Sequence, residues 1–220
     1  MSRYAQVAFT GNVRRVQEER GSARAMDRLR DGPAEPDRLG PREAEFIGAR
    51  DGFYLGTVGE DGWPYIQHRG GPAGFVHVVD EGTLAFAEVR GNRQYITAGN
   101  LRGDDRVSLF FMDYAHQARL KVLGRAETRD AEDYTGLPRR IAEDIGRLGT
   151  DGPRERLMLV RVEGLAWNCA KHITPRYSQA ELADSLEKVA ERLAELEAEN
   201  RELRERLGIA GTAEGGTVSG

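Results

Sequence analysis

Residues 62–100, GWPYIQHRGGPAGFVHVVDEGTLAFAEVRGNRQYITAGN, decide how this chain folds. They read as three short strands, Trp63 to Arg69, Phe75 to Asp80 and Thr83 to Val89, with a glycine-led turn then entering a polar helix start. Gly91-Asn92-Arg93-Gln94 in that turn would set backbone N–H groups, an arginine fork and two carboxamides at a helix N-terminus. Donors and helix dipole together stabilise a phosphate dianion there. Tyr65-Ile66-Gln67-His68-Arg69 supplies a second cluster of donors. Strand neighbours face opposite ways, so Gln67 and Arg69 are expected to face a ligand together, and His68 joins them only if Gly70-Gly71 bends the strand.

Further strands are expected outward from this stretch, at Phe53 to Val58, Arg106 to Tyr114, Arg119 to Thr128 and Leu157 to Asn168. The Asp61-Gly62 and Glu81-Gly82 pairs mark the clearest turns. Short connections force antiparallel neighbours, which excludes a sheet of βαβ units and favours an antiparallel barrel. Ala131 to Gly149 carries Leu137, Ile141, Ile145 and Leu148 at helical spacing and is expected to pack across that barrel as a helix. Gly11 to Asp31 is charged and compatible with a helical arm, and 32–41 is a loop whose Pro41 suits the first position of a short helix.

Past Tyr177 the composition changes. Leu182, Leu186, Val189, Leu193, Leu196, Asn200, Leu203 and Leu207 recur in alternating steps of four and three, the seam of a coiled coil. With Leu186, Leu193, Asn200 and Leu207 at a, and Leu182, Val189, Leu196 and Leu203 at d, a parallel in-register pair matches Arg192 with Glu197 and Glu199 with Arg204. Leucine at d and one asparagine at a favour two parallel strands. An amphipathic helix lying on its own barrel is the alternative. The resulting organisation is an N-terminal helical arm and loop (1–42), a barrel (43–178), a coiled coil (179–208) and a small, polar tail (209–220) expected to be disordered.

Composition bounds the function. With 220 residues and 39% hydrophobic content, the chain can bury a core without disulfides, and its single cysteine, Cys169, excludes an intrachain one. The formal charge of -4 is small and mixed, which argues against nucleic-acid or membrane binding through a basic field. Nothing approaches the ~20 apolar residues of a membrane span, and the first residues lack a secretion signal's apolar run, so a cytoplasmic protein is expected. Cys169-x-x-His172 alone is no zinc motif, and no metal site is expected. His77 and His116 show no partner pattern and are expected to face solvent.

DGWPY at a hairpin, GNRQ, RVSLFF and RLKVLGRAE on successive strands, and the closing AWNCAKHITPR occur in an order that resembles the pyridoxamine 5'-phosphate oxidase-like split-barrel family, from about Glu43 to Tyr177. Members bind flavin mononucleotide (FMN), deazaflavin or haem on one framework. The resemblance implies a Greek-key split barrel, FMN as cofactor, and a homodimer with cofactor sites at the barrel interface. It assigns cofactor contacts to Gln67, His68, Arg69, Gly70, Glu88, Arg90, Asn92, Arg93, Gln94, Arg119 and Trp167.

The chain departs from the oxidases at informative positions. Gln94 stands where they carry the lysine of G-S-R-K, and Gln67 where they use an arginine for the phosphate. Arg90 and Arg119 are the candidates to restore the lost charge. Ile173 and Pro175 stand where the oxidases hold their substrate with an Arg-x-His pair, so oxidation of pyridoxamine phosphate is not expected; His172 and Arg176 are left to meet a different small molecule. The implied activity is hydride transfer between flavin and such a substrate, with a nicotinamide cofactor as candidate electron donor. The other readings are a deazaflavin-dependent reductase, or a flavin- or haem-binding carrier or sensor. No catalytic acid or base is identified.

Overall fold

A computed structural model describes residues 2–147, 152–167 and 171–208. Two compact units are distinguished, dividing between Thr174 and Pro175.

The first unit is built on one antiparallel sheet of seven strands: β1 (Gly52–Val58), β2 (Pro64–Gly70), β3 (His77–Asp80), β4 (Thr83–Val89), β5 (Arg106–Asp113), β6 (Ala118–Asp130) and β7 (Arg154–Trp167). Their order is β2-β1-β5-β6-β7-β4-β3, the antiparallel split barrel expected from the sequence. Alternation puts one face of each strand inside. Phe53 and Leu55 on β1, Leu109 and Phe111 on β5, Leu120 and Val122 on β6, and Met158 and Val160 on β7 are all fully buried. Four phenylalanines pin the centre: Phe53 stacks on Phe111 at 4.9 Å, meets Phe86 edge-on at 5.2 Å and lies 5.9 Å from Phe75. Gly124 sits where the β6–β7 register shifts, and a Cβ there would meet the Arg161 carbonyl oxygen at 2.5 Å, so only glycine fits.

Helices α1 (Arg3–Ala8), α2 (Gly11–Glu19) and α3 (Ala23–Arg30) form the N-terminal arm, and α4 (Pro41–Gly48) begins with its proline in the first turn. The arm is fastened by Asp37. Its carboxylate accepts from the Ser2 hydroxyl (2.9 Å) and from the backbone N–H groups of Arg3 (2.9 Å), Tyr4 (3.2 Å) and Leu165 (2.8 Å). Burial alone would raise the Asp37 carboxyl, but these donors outweigh it and hold the group below its ordinary value. Gly164 completes the seat, because a Cβ there would lie 2.6 Å from the Tyr4 Cα.

Helix α5 (Ile96–Gly103) connects β4 to β5, and α6 (Arg139–Arg147) connects β6 to β7. Ile141 and Ile145 of α6 cover Ala85, Leu157 and Leu159 on the outer face of β4 and β7, as the helical spacing anticipated. The helix is shorter than the sequence suggested because residues 131–138 form turns ahead of it; Leu148 and Gly149 lie outside the described residues. Strand β7 starts three positions before the expected Leu157, with consequences for the site.

The second unit contains α7 (Gln179–Arg206), opened by a Ser178 cap whose hydroxyl accepts from the Glu181 N–H while the Glu181 carboxylate reaches back to the Ser178 N–H. Gly208 follows at φ 65°, the left-handed stop that glycine favours. Along α7 every a and d leucine, and Val189, is exposed. The expected tail at 209–220 lies outside the described residues.

Candidate functional site

The inward columns of β4 and β7 change character at one end. Leu84 and Phe86 are core residues, and two positions on the same face brings Glu88, with only 6% of its surface exposed. On β7 the buried column of Val162, Val160 and Met158 leads to Arg156, which pairs across the strands with Glu88. The barrel interior therefore ends in a carboxylate and a guanidinium instead of another apolar layer.

Strand β2 and the start of α5 close this end into a small cavity of about 60 Å³. The Arg69 Nη2 lies 2.6 Å from the Glu88 Oε1 and donates to the Thr97 hydroxyl at 3.1 Å. Thr97 donates in turn to the Gln67 Oε1 at 3.5 Å, which also accepts from the Tyr65 hydroxyl at 3.1 Å. Glu88 thus stands between two guanidiniums, its Oε2 lying 3.3 Å from the Arg156 Nε. The Arg69 Nε is buried without a hydrogen-bond partner. Such a group is costly inside a protein unless a ligand meets it.

The turn into α5 is strained. Arg93 and Tyr95 adopt φ of 62° and 54°, the left-handed region, at a cost of about 1–3 kcal/mol each for residues with side chains. Asn92 braces the turn by accepting from the Gln94 N–H at 3.2 Å. Tyr95 fixes it to β7: its hydroxyl donates to the Glu155 Oε1 at 2.8 Å, and the Arg156 guanidinium lies 4.9 Å over its ring. Tyr95, with Arg156 and Arg90 nearby, holds the Glu155 carboxyl below its ordinary value. No side chain caps α5, which leaves its first backbone N–H groups without a side-chain acceptor, and Ile96, Thr97 and Ala98 of this first turn help to line the cavity.

Of the residues anticipated from sequence, Gln67, Arg69, Glu88, Asn92, Arg93 and Gln94 line this cavity together. Arg90 stands beside it through its 3.4 Å ion pair with Glu155. The others are placed elsewhere. His68 lies on the opposite, exposed side of β2, edge-on to Tyr54 at 5.5 Å, because strand alternation is unbroken up to Gly70. Gly70 ends that strand outside the cavity. Trp167 donates to the Glu43 Oε1 at 2.6 Å, lies under Arg42 at 4.1 Å and meets Phe46 edge-on. It stands eleven positions beyond Arg156 on β7, roughly 35 Å of strand at about 3.3 Å per residue. Arg119 is at the Trp167 end as well, next to the Leu120 that pairs with Trp167, and its Nε is buried without a hydrogen-bond partner. His172 is exposed, in a left-handed turn, and Arg176 belongs to the second unit.

Tyr95, Thr97, Glu155 and Arg156 line the cavity without having been anticipated, and so does Tyr65, which the sequence placed in the donor strand without assigning it a ligand contact. Tyr65 was available from alternation with Gln67 and Arg69. Arg156 was hidden by the late start expected for β7, and Thr97 looks like an ordinary helix residue until its hydroxyl is placed. Of the two histidines expected to face solvent, one does and one does not. His116 remains exposed but places its Nδ1 3.1 Å from the buried Asp113, whereas His77 has a buried Nε2 with no hydrogen-bond partner. Cys169 lies outside the described residues. Among the described residues no three histidine, cysteine or acidic side chains are grouped to hold a metal ion.

Solved structures of similar fold include HupZ from Group A Streptococcus, at 17% identity and a TM-score of 0.44 over 63% of this chain and 100% of that one. A protein from Clostridium acetobutylicum related to general stress protein 26 of B. subtilis, of the pyridoxinephosphate oxidase family, gives 19% and 0.41 over 60% and 88%. An F420 reductase gives 17% and 0.41 over 58% and 98%. No curated protein matches the sequence. Residues 39–168, more than half of the chain and the whole of the barrel strands, match the family described as pyridoxamine 5'-phosphate oxidase, and the chain belongs to that family.

Proposed function

We propose that this protein is an FMN-binding oxidoreductase that transfers a hydride between flavin and a small-molecule substrate. The observation that carries the reading is the cavity at the α5 turn: an uncapped helix start, two strained left-handed residues and Arg69 with an unsatisfied buried N–H converge on a space of phosphoryl size. Strain of this kind is retained where a ligand offsets it. Gly91 to Gln94 and Arg69 would hold the phosphate end. FMN supplies a ring that accepts and returns hydride, while the protein orients the substrate and stabilises negative charge beside the ring.

The cavity of about 60 Å³ is far below the ~300–1,000 Å³ of sites that enclose a cofactor-sized ligand, so the ring must lie beyond it. We place it against a second copy of the chain. Ile66 of β2 is exposed and lines an apolar groove of about 480 Å³ together with Val58, Pro64, Val107 and Leu123, and Trp63 is exposed in the turn just before β2. A partner seated there would cover this surface, and it could bring the far-end Trp167 and Arg119 to the cofactor, which one chain's own strand length prevents. Pairing of α7 as a parallel coiled coil would add to the dimer, its g and e charges being complementary (Arg192 with Glu197, Glu199 with Arg204). His172 and Arg176 remain candidates for the substrate. No helix among the described residues is long and apolar enough to cross a membrane, and we place the protein in the cytoplasm.

A visible absorption spectrum tests the cofactor. After reconstitution with FMN and removal of free ligand, the protein should keep oxidised-flavin bands that bleach with dithionite or a nicotinamide donor. It should not release peroxide with pyridoxamine 5'-phosphate. A Soret band, or bands retained only with deazaflavin, would replace FMN in this account, and a protein that holds no chromophore would overturn it.

A further inference from the structure

We propose that Arg156, at the start of β7, is a ligand-binding residue that completes the phosphate site, so that a phosphomonoester dianion is held by three guanidiniums, those of Arg69, Arg93 and Arg156. The proposal rests on the reading of the cavity as the cofactor's phosphate site and adds a group from a different strand.

Position comes first. Arg156 occupies the inward column of β7 directly beyond Met158 and pairs in register with Glu88, so its side chain is directed to the barrel's open end. Both Arg156 and Arg69 line the cavity, and both reach the same carboxylate. A lone buried Glu88 needs one cation for neutrality; the structure provides two, of which one is in surplus. Arg93 adds a third on the rim, against Glu155 as the only other acidic lining residue. The cavity is net positive by one charge before any ligand enters, and the uncapped start of α5 borders it.

Hydrogen-bonding capacity comes second. A guanidinium has five N–H donors in a plane. Arg156 spends two of its nitrogens on long contacts, Nε to Glu88 at 3.3 Å and Nη2 to Glu155 at 3.4 Å, and its Nη1 makes no hydrogen bond among the described residues. The guanidinium carbon lies 4.9 Å over the Tyr95 ring centroid, a cation–π contact that restrains the side chain and lowers the entropy lost when a ligand is gripped. Glu155 ties the same guanidinium to Tyr95, at the turn that presents Arg93. Arrival of the phosphate would therefore load all three arginines through one connected frame. Gln67 and Gln94, both neutral, line the same cavity, so the charge comes from Arg69 of β2, Arg156 of β7 and Arg93 on the rim and not from these positions.

The test compares the full-length protein with Arg156→Ala and Arg156→Lys by calorimetric titration with FMN, riboflavin and inorganic phosphate. Arg156→Ala should weaken FMN and phosphate by about tenfold or more while leaving riboflavin within about twofold, since one charge-assisted donor pair is lost. Arg156→Lys keeps a cation for Glu88, preserving the fold, and should recover part of the FMN affinity but not the whole, because the fork is missing. Equal losses for FMN and riboflavin, or unchanged FMN and phosphate affinity in a folded Arg156→Ala, would overturn the assignment. Wild-type protein that binds phosphate in an Arg156-dependent way yet binds no flavin would sustain it while refuting the flavin reading; wild-type protein that binds none of the three would refute both.

Discussion

The barrel and α7 carry equally regular apolar patterns, yet they differ in what those patterns meet. Core residues of the barrel are at most 7% exposed, whereas Leu182, Leu186, Val189, Leu193, Leu196, Leu203 and Leu207 of α7 are 45% to 70% exposed. Period two on seven strands closes on itself within one chain. A heptad stripe on one 28-residue helix cannot be buried by that helix alone and needs a further surface to cover it. Periodicity thus states which face must be covered and leaves open whether the cover comes from the same chain.

The largest effect that separates the two regions is a cavity in the barrel. Phe53→Ala removes the ring on which Phe75, Phe86 and Phe111 converge and should cost about 3–5 kcal/mol in urea unfolding of the barrel. Leu193→Ala on α7, an equally periodic position, should leave the barrel transition in place and act on self-association instead. A barrel destabilised equally by both would erase the distinction.

Next in size is the site that the barrel builds. Arg93→Ala should weaken FMN by roughly 2 kcal/mol, more than tenfold, and leave riboflavin little changed, as fluorescence titration would show. Loss of affinity for both ligands alike would move Arg93 from the phosphate to a structural role in the turn.

A smaller, pH-dependent effect concerns the arm. The folded Asp37 carboxyl lies below its ordinary value, so it binds protons less readily folded than unfolded. Its contribution is complete above the unfolded value of about 3.9 and is lost as pH falls through the lower folded value. Asp37→Asn should remove that dependence, with hydrogen exchange at Tyr4 and Leu165 as the readout. Protection of both amides that stays independent of pH in the wild type would show that another contact seats the arm.

The finest test concerns α7 alone. Deletion of 179–220 should leave a dimeric, flavin-binding barrel of lower melting temperature if, as proposed, the barrel face supplies the first dimer contact. Asn200→Leu should raise stability slightly while loosening register and oligomer number, since a buried amide at a specifies two strands at some cost. Sedimentation decides both: a monomeric deletion variant would make the coiled coil the principal contact, and an unchanged two-stranded Asn200→Leu would assign stoichiometry to the barrel.

Strand alternation and turn pairs made most of the barrel legible, Thr83–Val89 to the residue, because Leu84 and Phe86 mark the buried face and Glu81-Gly82 the turn before it. The same rule put Gln67 and Arg69 together and turned His68 away. It lost Arg156 because Arg154, Glu155 and Arg156 carry no apolar signal; they are strand by pairing with Val89 and Glu88, a long-range contact that a local pattern does not contain. The Asp37 latch was hidden for a similar reason, since its partners lie at opposite ends of the first unit's sequence. The strain at Arg93 and Tyr95 could not be read either, because neither residue type announces a left-handed backbone as glycine does.

The central claim, that the mouth of the barrel at α5 is a phosphate site for a flavin, is tested most directly by titrating the full-length wild-type protein with FMN and with riboflavin under identical salt and pH. FMN should bind more than tenfold tighter, with the difference shrinking as inorganic phosphate is added to compete. Equal affinities that phosphate leaves untouched would contradict it.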